Sequence, residues 1–422
     1  MIYLTRNSFK IITLSSFGSA LELYDFVIFA VFAKSIGETF FPHKNHSVEL
    51  ISAFALFAVG YLIRPIGGIV FSHFGDRIGR KKNFTTSIFL MAISTLLMSF
   101  VPSYQSIGML APLAFIFLRI TQGFAIGGEI PGAITFVSEH IKQRAGLACG
   151  AIFLFNNVGI VFASVAHSIV KIGLTPTETA NYGWRIAFVI GGLLAIISYL
   201  LRSRLEETPD FSHAKESIHK VPIYQLLRNH FPSVIAGILI TSLGATIVSV
   251  LYLYMVSYLD TINNYSVQHS ETLTFIGLIS FSLSVFIIGA ISDYTGRKKL
   301  IFTGALIFIL FSLSFFKTIV EHRDNLAAWF ILWGIISGLI TGCYPCLLIE
   351  LFPTNVRYSG VSFCFNIGFA VFGGLSPLIA SLLIHLSGRL SSPAWVLITT
   401  SVFSVFGLTI IRRYKGTVTL IS

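Results

Sequence analysis

Gly75-Asp76-Arg77-Ile78-Gly79-Arg80-Lys81-Lys82 returns in the second half of the chain as Asp293-Tyr294-Thr295-Gly296-Arg297-Lys298-Lys299. Each copy is a short polar loop between two long apolar runs, which reads as two related halves embedded in a bilayer. Composition points the same way. Of 422 residues, 54% are hydrophobic and 11% charged, against about 25% charged in an ordinary soluble domain. A water-soluble fold with 40 phenylalanines would expose large adhesive patches, so lipid is the solvent. The net charge of +11, which in a soluble protein would suggest nucleic acid, is instead a statement about membrane topology.

Twelve stretches are long enough to cross about 30 Å of hydrocarbon: 9–33, 50–74, 84–101, 107–137, 145–170, 184–201, 232–259, 272–292, 300–316, 326–349, 359–386 and 394–411. Backbone polar groups cannot stay unpaired in lipid, so each stretch is expected to be helical. With the amino terminus in the cytoplasm, 20 of the 29 Lys and Arg fall in inner loops or tails and 7 in outer ones. Both termini are therefore expected inside. The longest polar stretch joins the sixth and seventh spans, which gives an amino-terminal bundle over 1–202, a linker over 203–230 and a carboxy-terminal bundle over 231–422. The first span lacks a small-residue cleavage site and is expected to be retained rather than removed as a signal peptide. Cys343-Tyr344-Pro345-Cys346 has the spacing of a metal or redox pair, but it lies within an apolar span with no second pair, and packing is the simpler role. No metal site or cofactor is expected.

The repeated loops resemble the signature between helices two and three of the major facilitator superfamily and its second-half equivalent. Within that superfamily the pattern is most similar to the metabolite:proton symporters, which include carriers of proline, betaine and organic acids. The similarity rests on Gly18-Ser19-Ala20-Leu21-Glu22-Leu23-Tyr24-Asp25-Phe26, Arg64-Pro65-Ile66-Gly67-Gly68, Arg119-Ile120-Thr121-Gln122-Gly123, Gly127-Gly128-Glu129 and Leu205-Glu206-Glu207-Thr208-Pro209-Asp210-Phe211. Ser72 departs from the pattern, which usually has glycine four residues before the aspartate. The resemblance implies two pseudo-symmetric six-helix bundles and a central solute site that opens alternately to either side. It also implies inner-face gating by Asp76, Arg77, Gly79 and Arg80 in the first loop and by Asp293, Gly296 and Arg297 in the second. Glu139 with Arg144, and Glu350 with Arg357, supply opposite charges at the same face of each half and are expected to form ion pairs there.

Charge inside the membrane marks the chemistry. Glu22, Asp25, Arg64, Arg119 and Glu129 lie well within apolar spans, where a charge costs about 2.5–3.5 kcal/mol even on the lenient insertion scale. Glu22 and Asp25 share a helix face, and Arg119, Gln122 and Glu129 fall on one stripe of the fourth span. Three acids against two bases leave one excess negative charge, which a bound proton would remove. Glu22, Asp25 and Glu129 are thus candidates for proton coupling, and Arg119, with paired donors for a carboxylate, and Arg64 for solute binding. Gln122, Asn156 and Asn157 are candidate polar lining. The second half has Trp333 at the position matching Arg119 and no counterpart of the acids; it offers Tyr252, Tyr254 and Asn366 to shape a solute pocket. The expected protein is an all-α proton symporter in a bacterial inner membrane, acting as a monomer on a small polar metabolite, with lipid and solute as its partners and no nucleic acid. An exporting antiporter is disfavoured, because 146–170 lacks the Gly-x-x-x-Gly-Pro pattern of drug exporters. A non-transporting solute sensor remains the other alternative. Nothing resembles the nucleophile or metal set of an enzyme.

Overall fold

The structure, a computed structural model, describes residues 5–42, 59–60, 62–175, 178–214, 222–322 and 325–413. Among them there are helices and turns and no strand. The long elements are α1 (Arg6–Val31), α2 (Ala33–Phe40), α3 (Arg64–Ile78), α4 (Arg80–Phe100), α5 (Leu110–His140), α6 (Ala145–Gly173) and α7 (Trp184–Arg202). Two short helices follow, α8 (Pro209–Ala214) and α9 (Pro222–Asn229). Then come α10 (Phe231–Ile247), α11 (Val267–Thr295), α12 (Arg297–Val320), α13 (Leu326–Thr341), α14 (Tyr344–Glu350), α15 (Arg357–Gly368), α16 (Gly374–Ser387) and α17 (Ala394–Arg413). Eleven helical stretches are long and apolar enough to cross a membrane among the described residues. The expected span 50–74 lies partly outside those residues, which take it up as the helix beginning at Arg64.

Local sequence explains where helices stop. Gly79 and Gly296 adopt φ of 133° and 90°, values that an L side chain resists, so the loops turn there and α4 and α12 begin at once. Pro345 lacks an N–H and takes the first turn of α14, separating it from α13 at Gly342-Cys343. Pro131 by contrast sits inside the continuous α5. One-turn π-helical segments interrupt the second half at Val248–Leu253 and Phe369–Gly373. Such distortions gather at functional sites.

By internal contacts the chain forms two compact units, Met1–Phe136 with Phe155–His213, and Val137–Leu154 with Ala214–Ser422. In the first unit α3 and α5 approach to backbone contact: a Cβ on Gly67 would lie 1.9 Å from the Phe124 carbonyl oxygen, and one on Gly127 2.1 Å from that of Arg64. Small residues at such crossings replace the hydrophobic driving force that lipid removes. A second contact of this kind joins α6 to α11 within the second unit, where a Cβ on Gly146 would meet the Gly289 oxygen at 2.3 Å. Large apolar side chains face outward, among them Phe117, Ile172, Leu386 and Trp395, as a lipid-solvated surface requires.

Candidate functional site

The first unit has a polar core. Asp25 of α1 is buried, and its Oδ2 accepts from Thr95 Oγ1 of α4 at 2.7 Å and from Gln122 Nε2 of α5 at 3.1 Å. The same Gln122 nitrogen donates to Thr95 Oγ1 at 2.7 Å, and Arg119 Nη1 donates to the Gln122 carbonyl. Arg119 lies one helical turn from Gln122, with its guanidinium 4.3 Å from the centre of the Phe29 ring. Gly60 makes room for it, since a Cβ there would stand 3.0 Å from Arg119 Nε. Guanidinium and carboxylate are thus linked through one amide. A neighbouring pair joins Glu22 of α1 to Arg64 of α3. The i, i+3 spacing of Glu22 and Asp25 brings two acids from one helix to two different bases.

Glu129 departs from the sequence expectation. Its Oε1 accepts from Arg202 Nη1 of α7 at 2.7 Å and its Oε2 from Ser87 Oγ of α4 at 3.0 Å, and both partners of the ion pair are fully buried. Arg202 also donates to the main-chain oxygens of Leu14 (3.0 Å) and Ser15 (2.7 Å) and lies 3.9 Å from the centre of the Phe84 ring. Gly18 leaves room for it, because a Cβ there would fall 1.9 Å from Arg202 Nη2 and displace the guanidinium. The sequence places Arg202 at the end of a span, beside Arg204 in a polar stretch, where it counts as a topology residue. Its burial comes from the packing of α7 against α1, with Phe84 of α4 and Glu129 of α5 closing over the guanidinium. Three acids therefore face three bases, and the excess negative charge expected from sequence is not there.

The repeated loops also differ from simple expectation. In the first, Asp76 pairs with Arg80 at 3.1 Å, and Arg80 donates to the Gly75 carbonyl at 2.9 Å. Glu207, from the Leu205–Phe211 motif, accepts from the main-chain N–H of Arg80 and Lys81 at 3.1 Å and so caps the exposed end of α4. Gly79 admits this carboxylate, which would lie 2.2 Å from a Cβ at that position. Phe211 packs under the Arg80 guanidinium, 4.9 Å from ring centre. Arg77 is exposed, and among the described residues it reaches only His73, at 3.5 Å.

In the second unit, Asp293 accepts from the main-chain N–H of Gly146 (2.7 Å) and Leu147 (3.1 Å), capping α6, and pairs with Arg297 at 2.8 Å. Arg297 also pairs with Glu350. Glu139 pairs with Arg357 at 2.9 Å, and Arg144 lies over the Tyr294 ring at 4.8 Å. Of the four charges expected to pair at this face, Glu139 meets Arg357, Glu350 meets Arg297, and Arg144 meets an aromatic ring. In each case the partner comes from a different loop, because helix packing rather than sequence proximity sets which charges meet.

The remaining candidates are scattered. Tyr252 lies in the first π-helical segment, its ring stacked on Phe281 at 4.7 Å. Tyr254 accepts from Ser381 Oγ at 3.1 Å. Asn366 is buried and donates to the Ser362 main-chain oxygen at 2.9 Å, one turn back on its own helix. Asn156 and Asn157 are half-buried in α6. Trp333 is buried against Phe308 and Phe315, with ring centres 4.8 and 4.9 Å away. The four cysteines are buried thiols. Among the described residues no cluster of three or more His, Cys, Asp or Glu could hold a metal.

An all-helical chain with duplicated loops and charges paired inside its spans defines a membrane transporter of the Major Facilitator Superfamily, and the chain, matching that family over residues 15–363, belongs to it. It is 31% identical over 411 residues to the proline/betaine transporter of Escherichia coli K12, covering 93% of this chain and 81% of that one. It is 32% identical over 381 residues to the citrate-proton symporter of Salmonella typhi, covering 90% and 88%. These relatives agree with the resemblance to the metabolite:proton symporters. The fold matches the proton:xylose symporter XylE with a TM-score of 0.78 at 15% identity, over 98% of this chain and 96% of the other. The protein is an integral membrane transporter, and its relatives are carriers, not enzymes.

Proposed function

We propose that the chain is a proton-coupled symporter of a small metabolite bearing a carboxylate, an organic acid or a zwitterion such as proline or betaine. It works by alternating access in a bacterial inner membrane with both termini in the cytoplasm. The observation that carries this reading is the Asp25–Gln122–Arg119 linkage. Arg64 and Arg202 each bond an acid directly, to Glu22 and Glu129, whereas Arg119 is joined to Asp25 through the neutral amide of Gln122. A solute carboxylate that takes the place of the Gln122 carbonyl gains a paired, charge-assisted contact and frees Gln122 to reorient toward Asp25.

Charge balance then supplies the coupling. Three ionised acids and three bases are neutral as a set, so an entering organic acid, or a zwitterion whose carboxylate is held on Arg119 apart from its own cation, leaves a negative charge uncompensated in low dielectric, which costs several kcal/mol. A proton on Asp25 or Glu22 removes it. Solute and proton therefore bind best together and leave together. The names of the relatives support the solute class, since proline, betaine and citrate all carry a carboxylate. The inner-face pairs Glu139–Arg357 and Glu350–Arg297 act as gates that break when the inner side opens.

Uptake of labelled proline, betaine and citrate into proteoliposomes, with and without an inward proton gradient, tests the reading. One of the three should accumulate only with the gradient. Asp25→Asn should abolish accumulation while sparing exchange of internal for external solute. Gradient-independent uptake of every accepted solute would refute proton coupling.

A further inference from the structure

Four serine hydroxyls in the first unit are set apart from the others. Serines and threonines on these helices mostly turn back onto their own backbone, as Thr13 does to Phe9, Thr121 to Phe117 and Ser164 to Ile160. The hydroxyls of Ser15, Ser16 and Ser19 on α1 and of Ser198 on α7 are buried with no hydrogen-bond partner among the described residues. Glu22 Oε2 shares this condition, although Oε1 is held by Arg64. A buried polar group left unsatisfied costs about 1–3 kcal/mol, and five on two helices of one unit need a shared explanation.

Four of them, all but Ser16, lie along one stripe. Ser15, Ser19 and Glu22 follow at i, i+4 and i+7, one stripe of a helix. Helix α7 runs antiparallel to it: Arg202 reaches Leu14 and Ser15, while Gly191 abuts Tyr24 and Asp25. Ser198, one turn before Arg202 on the same face, is therefore level with Ser19. The stripe begins at Glu22, paired with Arg64 of α3 and one turn from Asp25, and ends at the Glu129–Arg202 pair. These are the charged groups that face the stripe from α1, α3, α5 and α7.

We propose that Ser19, Ser198 and Ser15 line a hydrated file that carries the proton from Glu22 to the Glu129–Arg202 pair, and that Arg202 is a positioning residue for this transfer. The inference rests on the symport reading and extends it to the release route. A proton leaves the Glu22 carboxyl and is handed along by water and serine hydroxyls, each accepting one proton as it gives up another. It arrives at the Glu129 carboxylate. Arg202 keeps its own charge and its bonds to the Leu14 and Ser15 carbonyls throughout, so its bond to Glu129 can loosen without the guanidinium losing all its partners. The proton then passes on toward the end of α1 that carries the amino terminus.

Two measurements test this. X-ray hydroxyl-radical footprinting marks side chains beside bound water. Phe84, buried yet in contact with Arg202, should be labelled in the wild type and lose most of that label in Ser19→Ala/Ser198→Ala; an unlabelled Phe84 overturns the file. Separately, proteoliposomes with a trapped pH dye are given proline, betaine or citrate. Internal acidification driven by the accepted solute should slow about tenfold in Ser19→Ala, the order of one lost hydrogen-bonded link. It should recover in Ser19→Thr, which restores the hydroxyl. Wild-type acidification with an unchanged Ser19→Ala rate refutes the file and leaves symport standing. No acidification by the wild type with any of the three refutes the symport reading and the proton role of the file with it.

Discussion

The two units share their loops but not their interiors. Both copies of the repeated loop turn at a glycine with positive φ, and both pair an aspartate with an arginine four residues on. Inside the helices the likeness ends. The first unit buries Glu22, Asp25, Arg119, Glu129 and Arg202, with Arg64 half-buried beside them, whereas the matching stretches of the second hold Thr241, Ser242 and Trp333. A duplicated scaffold thus keeps its boundary chemistry in both copies and its charged interior in one. The physical reason is cost: each buried ion needs a partner and further hydrogen bonds, and a network once built in one unit does not have to be built again.

The largest expected effect lies in that network. Arg202→Leu leaves Glu129 charged and buried, and should destabilise the detergent-solubilised protein by about 3–5 kcal/mol, read as a fall in melting temperature. Adding Glu129→Leu should recover much of the loss. A single variant as stable as the wild type would remove Arg202 as the hub joining α1, α5 and α7.

Next comes the position four residues before each aspartate. Gly289→Ser forces a Cβ to within 2.6 Å of the Gly146 carbonyl oxygen and should cost about 1–3 kcal/mol through overpacking. At the matching position of the first unit nature already has Ser72, buried and bonded to the Ile69 carbonyl at 3.2 Å. Ser72→Gly should therefore shift the melt less than Gly289→Ser. Equal shifts would mean that the two loops pack alike after all.

The smallest effect is expected at the cap. Glu207→Ala removes the acceptor for the Arg80 and Lys81 amides and should cost about 1 kcal/mol, seen as faster amide hydrogen exchange at the start of α4. Unchanged exchange there would show that Glu207 is not the cap.

Sequence by itself determined the class. Apolar runs of spanning length, loops repeated in register and charges inside the spans follow from the needs of a backbone in lipid, and these are written along the chain one residue after another. It also determined that Glu22, Asp25, Arg119 and Glu129 would be special, because charge at that depth is costly wherever it points. Only the tertiary structure decided which charges meet. Arg202 looks like a loop arginine until α7 packs on α1, Thr95 and Ser87 look like ordinary helix residues, and Glu139 finds Arg357 rather than its near neighbour Arg144. Ion pairs act over a few ångströms in space, and helix crossings, set by glycines at Gly67, Gly127, Gly146 and Gly289, fix those distances between residues far apart along the chain.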